Sequence, residues 1–368
     1  MRRAAVAIVG AGPAGTAAAL RLGQLGMRDV VLLDRADFPR DKTCGSGLSP
    51  RGIRTLRELD VWDAIEPHAY RITGLRLVTP GDRELVMSGG ESAAAVVCLR
   101  RTLDHALLER ARAAGVEFVP GFTVERLRTE GERVAGVVGR DGREIDARIT
   151  IVADGAHSRL GLDARPPRTM QAIMGWWEGV PCRAHHVEMV FDRLVTPGYG
   201  WLFPESATRV NIGICYEDAE GVRNGRRVFE TFVDKHYARR LRAASQIGGV
   251  KGHPIAYGFR VGRLSSPGRL VAGEAGRMVH PATAEGISQA MRSGIFAAEA
   301  AAAAFGGRVG EPAARAGYEA RCRRAFGVSF AAARLWRAAV TSSALDRLVA
   351  AVQRPAVKTA LARLMAAM

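Results

Sequence analysis

The chain has 368 residues, with 53 Lys and Arg against 37 Asp and Glu, a formal net charge of +16. That length can bury a large core, and it suggests two interlocked parts rather than one small domain. The arginines are scattered, aromatics are 6% of the chain and no basic block is interleaved with stacking side chains, which argues against a nucleic-acid surface. Five cysteines without a C-x-x-C pair fit a reducing cytoplasm and argue against a zinc site. No stretch approaches the length of a membrane span.

Residues 6–9 form a short apolar run that ends in Gly10-x-Gly12-x-x-Gly15, and an alanine-rich stretch follows with Ala18, Leu22 and Leu25 on one helical face. This reads as strand, tight turn and helix: Gly10 makes the turn, Gly12 leaves room for a pyrophosphate, and Gly15 lets the helix pack on the strand. The helix N-terminus offers free N–H groups to phosphates. Residues 30–33 read as a second buried strand ending in Asp34, which lies 34 − 15 = 19 residues after the last glycine, where an acidic residue meets a ribose hydroxyl. Arg35 follows it, and both are assigned to a dinucleotide.

The stretch from Phe38 to Pro50 is too glycine-rich and charged to be core, and a helix over residues 51–59 follows. By residue type, Arg40 and Lys42 are either phosphate partners or solvated charges, and Cys44 beside Gly45 is either a ligand-side thiol or an inert packing residue. Short strands alternate over residues 72–99, a helix runs from Arg100 to Gly115, and Asp141-Gly142 marks a hairpin. Residues 149–153 form a buried strand that ends at Asp154-Gly155 with Ser158 close behind, the kind of turn at which an open sheet meets its ligand.

Residues 166–266 read as alternating strands, including 187–191 and 209–216, and hold three of the five tryptophans. That texture predicts an antiparallel sheet with one face on a hydrophobic cavity. Tyr199, Trp201 and Phe203 alternate, so they share one strand face, as core or as ligand wall. A third strand runs into Gly273-Glu274-Ala275-Gly276, and residues 281–287 lead into a long helix to Phe305. Beyond Gly310 the chain is helical, with one apolar stripe at Leu345, Leu348, Val349 and Val352 and, past Pro355, another at Val357, Leu361, Leu364, Met365 and Met368. With Arg347, Arg354, Lys358 and Arg363 among them, these stripes either pack on the protein or lie on an anionic membrane.

Over residues 3–305 the sequence resembles the FAD-dependent oxidoreductases of the p-hydroxybenzoate hydroxylase fold, and within them the geranylgeranyl reductase family. The resemblance rests on the first glycine turn with Asp34, on Asp154-Gly155 with Ser158, and on Gly273 to Gly276 followed by Pro281-x-Thr283-x-Glu285-Gly286-Ile287. It implies an α/β fold with a Rossmann-like FAD-binding domain (1–71, 96–165 and 266–306), an inserted substrate sheet (72–95 and 166–265) and C-terminal helices (307–368). The first segment would then hold the ADP part of FAD, the second the pyrophosphate and ribityl region, and the third the ribityl chain and flavin ring, with Glu285, Gly286 and Ile287 beside that ring.

Arg100, four residues before Asp104, resembles the family arginine that reaches the cofactor. The narrower match is Pro39-Arg40-x-Lys42-x-Cys44-Gly45 and Tyr199-x-Trp201-x-Phe203-Pro204, which in geranylgeranyl reductases bring a cysteine near the flavin and line a lipid cavity. Three departures stand out: Glu274 in place of Asp, Ala284 in place of a glycine, and Cys215 where Gly-x-Gly is expected after Gly213. If the Ala284 site needs positive φ, alanine is strained there.

The expected activity is reduction of a C=C bond in an apolar small molecule, with Cys44 as the candidate residue that shapes the reaction and no base beside it to make it a nucleophile. A monooxygenase shares every cofactor motif and is the alternative. No second dinucleotide fingerprint is visible, so electrons would come from NAD(P)H visiting a shared cleft, or from a reductase or ferredoxin. The location implied is cytoplasmic, with peripheral membrane contact as an option for the tail.

Overall fold

The computed structural model describes residues 2–89, 95–163, 165, 168–218, 221–307 and 309–353. The first strand, Arg2–Val9, lies at the centre of an eight-stranded sheet, parallel to Val30–Leu33 on one side and to Glu144–Val152 on the other. Glu117–Val119 and Arg269–Val271 extend the parallel run outward. The Asp141-Gly142 hairpin joins Arg133–Gly139 to Glu144–Val152, so the hairpin arm and the buried strand after it are one continuous element.

The alternation of the first strand sorts its side chains. Val6 and Ile8 face the helices Pro13–Gln24, Arg100–Ala113 and Ile287–Phe305, whereas Ala7 and Val9 meet the cluster around Val137 and Ile145. The alanine-rich face of the first helix allows close approach: a Cβ on Gly294 would stand 2.1 Å from the Ala14 carbonyl oxygen.

The second sheet has seven strands in the order Ser245–Tyr257, Arg168–Glu178, Arg209–Tyr216, Tyr199–Pro204, His186–Val190, Gly74–Val78 and Glu84–Ser88. All neighbours are antiparallel except His186–Val190 against Gly74–Val78, a parallel pair whose connection runs through four strands of the first sheet. One face carries Met170, Met174, Tyr199 and Trp201. The other packs Trp177, Leu202 and Ile212 on a helix, Gly225–Leu241.

That helix corrects the expectation of strands throughout 166–266. Its signal is Asn224, whose side chain caps the helix by accepting the Arg227 N–H at 3.1 Å, followed by Val228, Phe229 and Phe232 on one buried stripe. A small separate sheet of Gly47–Leu48, Ala95–Val97 and Tyr70–Ile72 follows the Cys44 loop and puts Leu48 and Val96 into the core that Val6 and Ile8 face.

The last described elements are the helices Glu311–Val340 and Ala344–Val352. Leu345, Val349 and Val352 are buried against the second sheet, but Leu348 points outward, so the first stripe is narrower than its spacing suggests. The second stripe, with Arg354, Lys358 and Arg363, lies outside the described residues. Among the described residues no helix is long and apolar enough to cross a membrane.

Candidate active site

A cleft of about 1150 Å³ runs from the glycine turns of the first sheet to the aromatic face of the second. Its first end is built as the spacing predicts. Gly10 has φ +98°, and a Cβ there would meet the Ala153 carbonyl oxygen at 2.5 Å, while one on Gly15 would lie 1.8 Å from the Gly10 carbonyl oxygen. Gly12 caps the helix Pro13–Gln24 with nothing within 4 Å of the position of its absent Cβ, so the uncapped first turn opens onto the cleft. That open cradle, at a helix N-terminus and beside a buried carboxylate, fits a dinucleotide pyrophosphate and ribose.

Asp34 Oδ2 accepts the Ala11 N–H at 2.7 Å and Oδ1 the Ala36 N–H at 2.9 Å, so its carboxylate organises the turn as well as facing the cleft with Arg35. Asp154 and Gly155 also line it; burial pushes the Asp154 carboxyl above its ordinary pKa, partly offset by the Ser158 hydroxyl.

Four assigned residues stand behind the wall. Gly15 packs under Gly10, and Gly273 packs between Ala14 and Ala290, donating its N–H to Ser293 Oγ at 2.9 Å. Ser158 and Gly276 face a separate cavity of about 440 Å³. A lone glycine or serine in a motif does not reveal whether it faces ligand or permits packing; the backbone of neighbouring elements decides.

In the middle of the cleft lies the loop from Arg40 to Gly47. Arg100 donates from Nε and Nη2 to the two Asp104 oxygens at 2.7 Å each, and Arg40 Nη1 stands 3.3 Å from Asp104 Oδ2. Burial works against the Arg100 charge, but Asp104 outweighs it and its pKa is raised. The Cys44 thiol lies against Arg100 and accepts the Ser46 N–H at 3.3 Å. Lys42 Nζ reaches His253 Nε2, and burial, followed by the Arg100 charge, pulls the lysine down to about 8. Burial and Lys42 pull His253 down to about 4.

Glu274 touches both cavities and spends Oε1 on the Ala256 N–H at 2.9 Å; burial raises its carboxyl. Gly286 heads the helix Ile287–Phe305 without a side-chain cap, so a second helix N-terminus opens on the cleft with Ile287. Glu285 is tied to Ser49, to Ser288 at 2.5 Å and to Gln289 at 3.4 Å, which clamps the loop to two helices. Ala284 has φ +53°, so alanine does occupy the left-handed region here.

The far end is apolar. Tyr199, Trp201 and Phe203 all line the cleft with Met174, Met189 and Ile255. Trp201 donates Nε1–H to Asn211 Oδ1 at 2.7 Å and lies over Gly213, where a Cβ would stand 2.2 Å from its ring. The Tyr199 hydroxyl donates to the Thr283 carbonyl oxygen at 2.5 Å, joining the aromatic wall to the third glycine loop. Cys215, opposite Tyr199 in register, is fully buried and held up to about 12, chiefly by burial. Sequence reasoning missed His253, Met174 and Met189, which carry no local motif.

Residues 3–327 match the model of the FAD binding domain family. The chain belongs to the FAD-binding oxidoreductases. Its relatives include a menaquinone reductase of Mycolicibacterium smegmatis, 32% identical over 81% of this chain and 76% of its own. Another is digeranylgeranylglycerophospholipid reductase 2 of Methanopyrus kandleri, 30% identical over 82% of this chain and 77% of its own. Among solved structures, a geranylgeranyl bacteriochlorophyll reductase-like protein of Thermoplasma acidophilum superposes with a TM-score of 0.86 at 21% identity, covering 96% and 92% of the two chains. A flavin-dependent brominase superposes with a TM-score of 0.82 at 19% identity, covering 98% and 93%. These two share the fold. The resemblance to the geranylgeranyl reductase family is borne out, and the FAD-binding oxidoreductase takes FAD as its cofactor.

Proposed function

We propose that this oxidoreductase reduces a carbon–carbon double bond in an apolar, prenyl-like or quinone-like small molecule. The observation that carries the reading is the continuity of one cleft from two open helix N-termini to the Tyr199–Trp201–Phe203 wall. The names of the reductase relatives point the same way. Bound FAD would supply the hydride.

The protein's own part is orientation and exclusion of water. Gly12 and the turn after it would hold the pyrophosphate, Asp34 and Arg35 the ribose end, and Asp154, Gly155 and Glu274 the middle of the cofactor. Arg40, Cys44, Gly45, Arg100, Glu285, Gly286 and Ile287 would enclose the ring. Trp201, locked by Asn211, and Tyr199, locked by Thr283, would present flat apolar surface to the substrate without a free donor. In this reading the glycine-turn segments (1–71, 96–165 and 266–306) act as the cofactor unit and the second sheet as the substrate unit.

Electrons would come from NAD(P)H or a reductase or ferredoxin. The test is anaerobic reduction of the flavin, addition of menaquinone or a geranylgeranyl lipid, and then oxygen. Reoxidation by the lipid without oxygen supports the reading, whereas product that forms only after oxygen identifies a monooxygenase.

Two substitutions probe the residue roles. Asp34→Ala removes a charge-assisted partner and is expected to weaken FAD by about 1.5 to 3 kcal/mol, read by flavin titration of the apoprotein. Unchanged affinity would move the ribose contact elsewhere. Cys44→Ala should retain the flavin but alter turnover or product. Normal turnover with the same product would reduce Cys44 to packing.

A further inference from the structure

Three cations and two carboxylates meet in the middle of the cleft, and the carboxylates are already committed. Asp104 is shared by Arg100, through two bonds of 2.7 Å, and Arg40 at 3.3 Å. Glu274 spends Oε1 on the Ala256 N–H at 2.9 Å and acts on the Lys42 ammonium only through space, without an ion-pair contact. Lys42 is left with a neutral partner. His253 Nδ1 stands 2.6 Å from the Pro254 carbonyl oxygen, which fixes the ring proton there and leaves Nε2 to accept from the ammonium. His157 packs edge-on against His253 at 5.4 Å, and the Cys44 thiol is turned to Arg100. Among the described residues no carboxylate stands within 4 Å of Lys42 Nζ.

A half-buried cation with no counter-ion in contact is held at a cost that an incoming anion offsets. The position of Lys42 selects the anion. Its loop runs from the middle of the cleft to the aromatic end: a Cβ on Gly45 would stand 3.3 Å from Trp201 Nε1 and one on Gly47 3.2 Å from the Phe203 ring. The phosphate cradle over Gly12 is a separate feature, built from the N-terminus of another element.

We propose that the Lys42 ammonium, seated on His253, is the charge that favours bound FAD in its anionic reduced form. The inference rests on reading this cleft as the FAD site. It gives the loop a role in setting the cofactor's potential in addition to enclosing it, since a cation near the ring stabilises the reduced anion over the neutral oxidised ring.

The experiment uses the holoenzyme and needs no substrate. Flavin reduced with dithionite without oxygen is titrated by absorbance from low to high pH, and midpoint potentials are measured against a reference dye for the native protein, Lys42→Met and Lys42→Arg. The native reduced flavin should lose its proton at lower pH than free reduced FAD. Lys42→Met should raise that ionisation by about one pH unit and cost about tenfold in preference for reduced over oxidised flavin, about 30 mV for a two-electron couple. Lys42→Arg should retain both properties.

A native reduced flavin that titrates like free FAD overturns the proposal by itself, even if Lys42→Met fails to take up cofactor. Equal weakening of oxidised and reduced FAD in Lys42→Met, with unchanged potential, also overturns it and makes Lys42 a phosphate ligand. Native protein that takes up no FAD would instead remove the cofactor reading on which the inference stands.

Discussion

Gly15→Ala is expected to yield protein that takes up no FAD and unfolds far more easily than the native chain. The added Cβ would sit 1.8 Å from the Gly10 carbonyl oxygen, 3.0 Å from its carbon and 3.3 Å from Ile8 Cγ2. The obstacle is backbone, so no rotamer change relieves it, and either the helix Pro13–Gln24 leaves the first strand or the Gly10 turn opens. Either movement spoils the pyrophosphate cradle and the core around Ile8 and Ala18 together. Overpacking of a rigid core costs about 1 to 3 kcal/mol, and this contact belongs at or beyond the upper end.

Gly12→Ala is the control. Its site has φ −76°, which alanine adopts freely, and nothing of the protein lies within 4 Å of the new atom. That variant should melt like the native apoprotein and still lose FAD, because the methyl enters cofactor space. Thermal unfolding of the apoproteins and flavin titration separate the two. A Gly15→Ala protein with native flavin affinity would show that the turn is not the cofactor cradle.

What was legible in the sequence follows one physical line. Features set by local spacing were readable: the turn at Gly10, the close packing at Gly15, and the shared face of Tyr199, Trp201 and Phe203, whereas the positive φ at Ala284 entered only as a condition attached to the family pattern. Features set by register between distant strands were not. His253 comes to Lys42 only because its strand pairs with Arg168–Glu178, with His253 opposite Ala172. The Gly225–Leu241 helix was hidden for a different reason: its phenylalanines raised the aromatic content of a stretch already reading as strand, and the Asn224 cap is a single residue. Ser158 and Gly276 belong to motifs, yet the loop after Gly155 carries Ser158 to the smaller cavity, and the turn Gly273–Gly276 brings Gly276 to the same cavity.

Truncation after Ser343 is expected to destabilise the substrate end of the molecule, not merely to remove a surface element. Leu345 and Val349 are each 2% exposed and Val352 is 8%, all within the cluster that contains Leu77, Leu85, Met170, Tyr199 and Trp201. Polar contacts pin the same helix. Asp346 accepts the Thr79 hydroxyl and the Gly81 N–H, the latter at 3.1 Å, and Gln353 Nε2 donates to the Glu84 carbonyl oxygen at 2.7 Å.

Burial of one such aliphatic side chain contributes about 1.5 to 3 kcal/mol, so removing three costs roughly 5 to 9 kcal/mol as an upper figure. That is comparable with the whole stability of many domains. The truncated chain should aggregate on heating well below the native transition, and Leu345→Ala alone should cost about 2 to 5 kcal/mol. Leu348 and Arg347 on the outer side are what an ordinary amphipathic helix presents to solvent, and they do not require a membrane. If the truncated protein instead keeps its flavin and native melting temperature while losing co-sedimentation with anionic vesicles, the segment after Ser343 is a membrane element and the burial of Leu345, Val349 and Val352 contributes nothing to the fold.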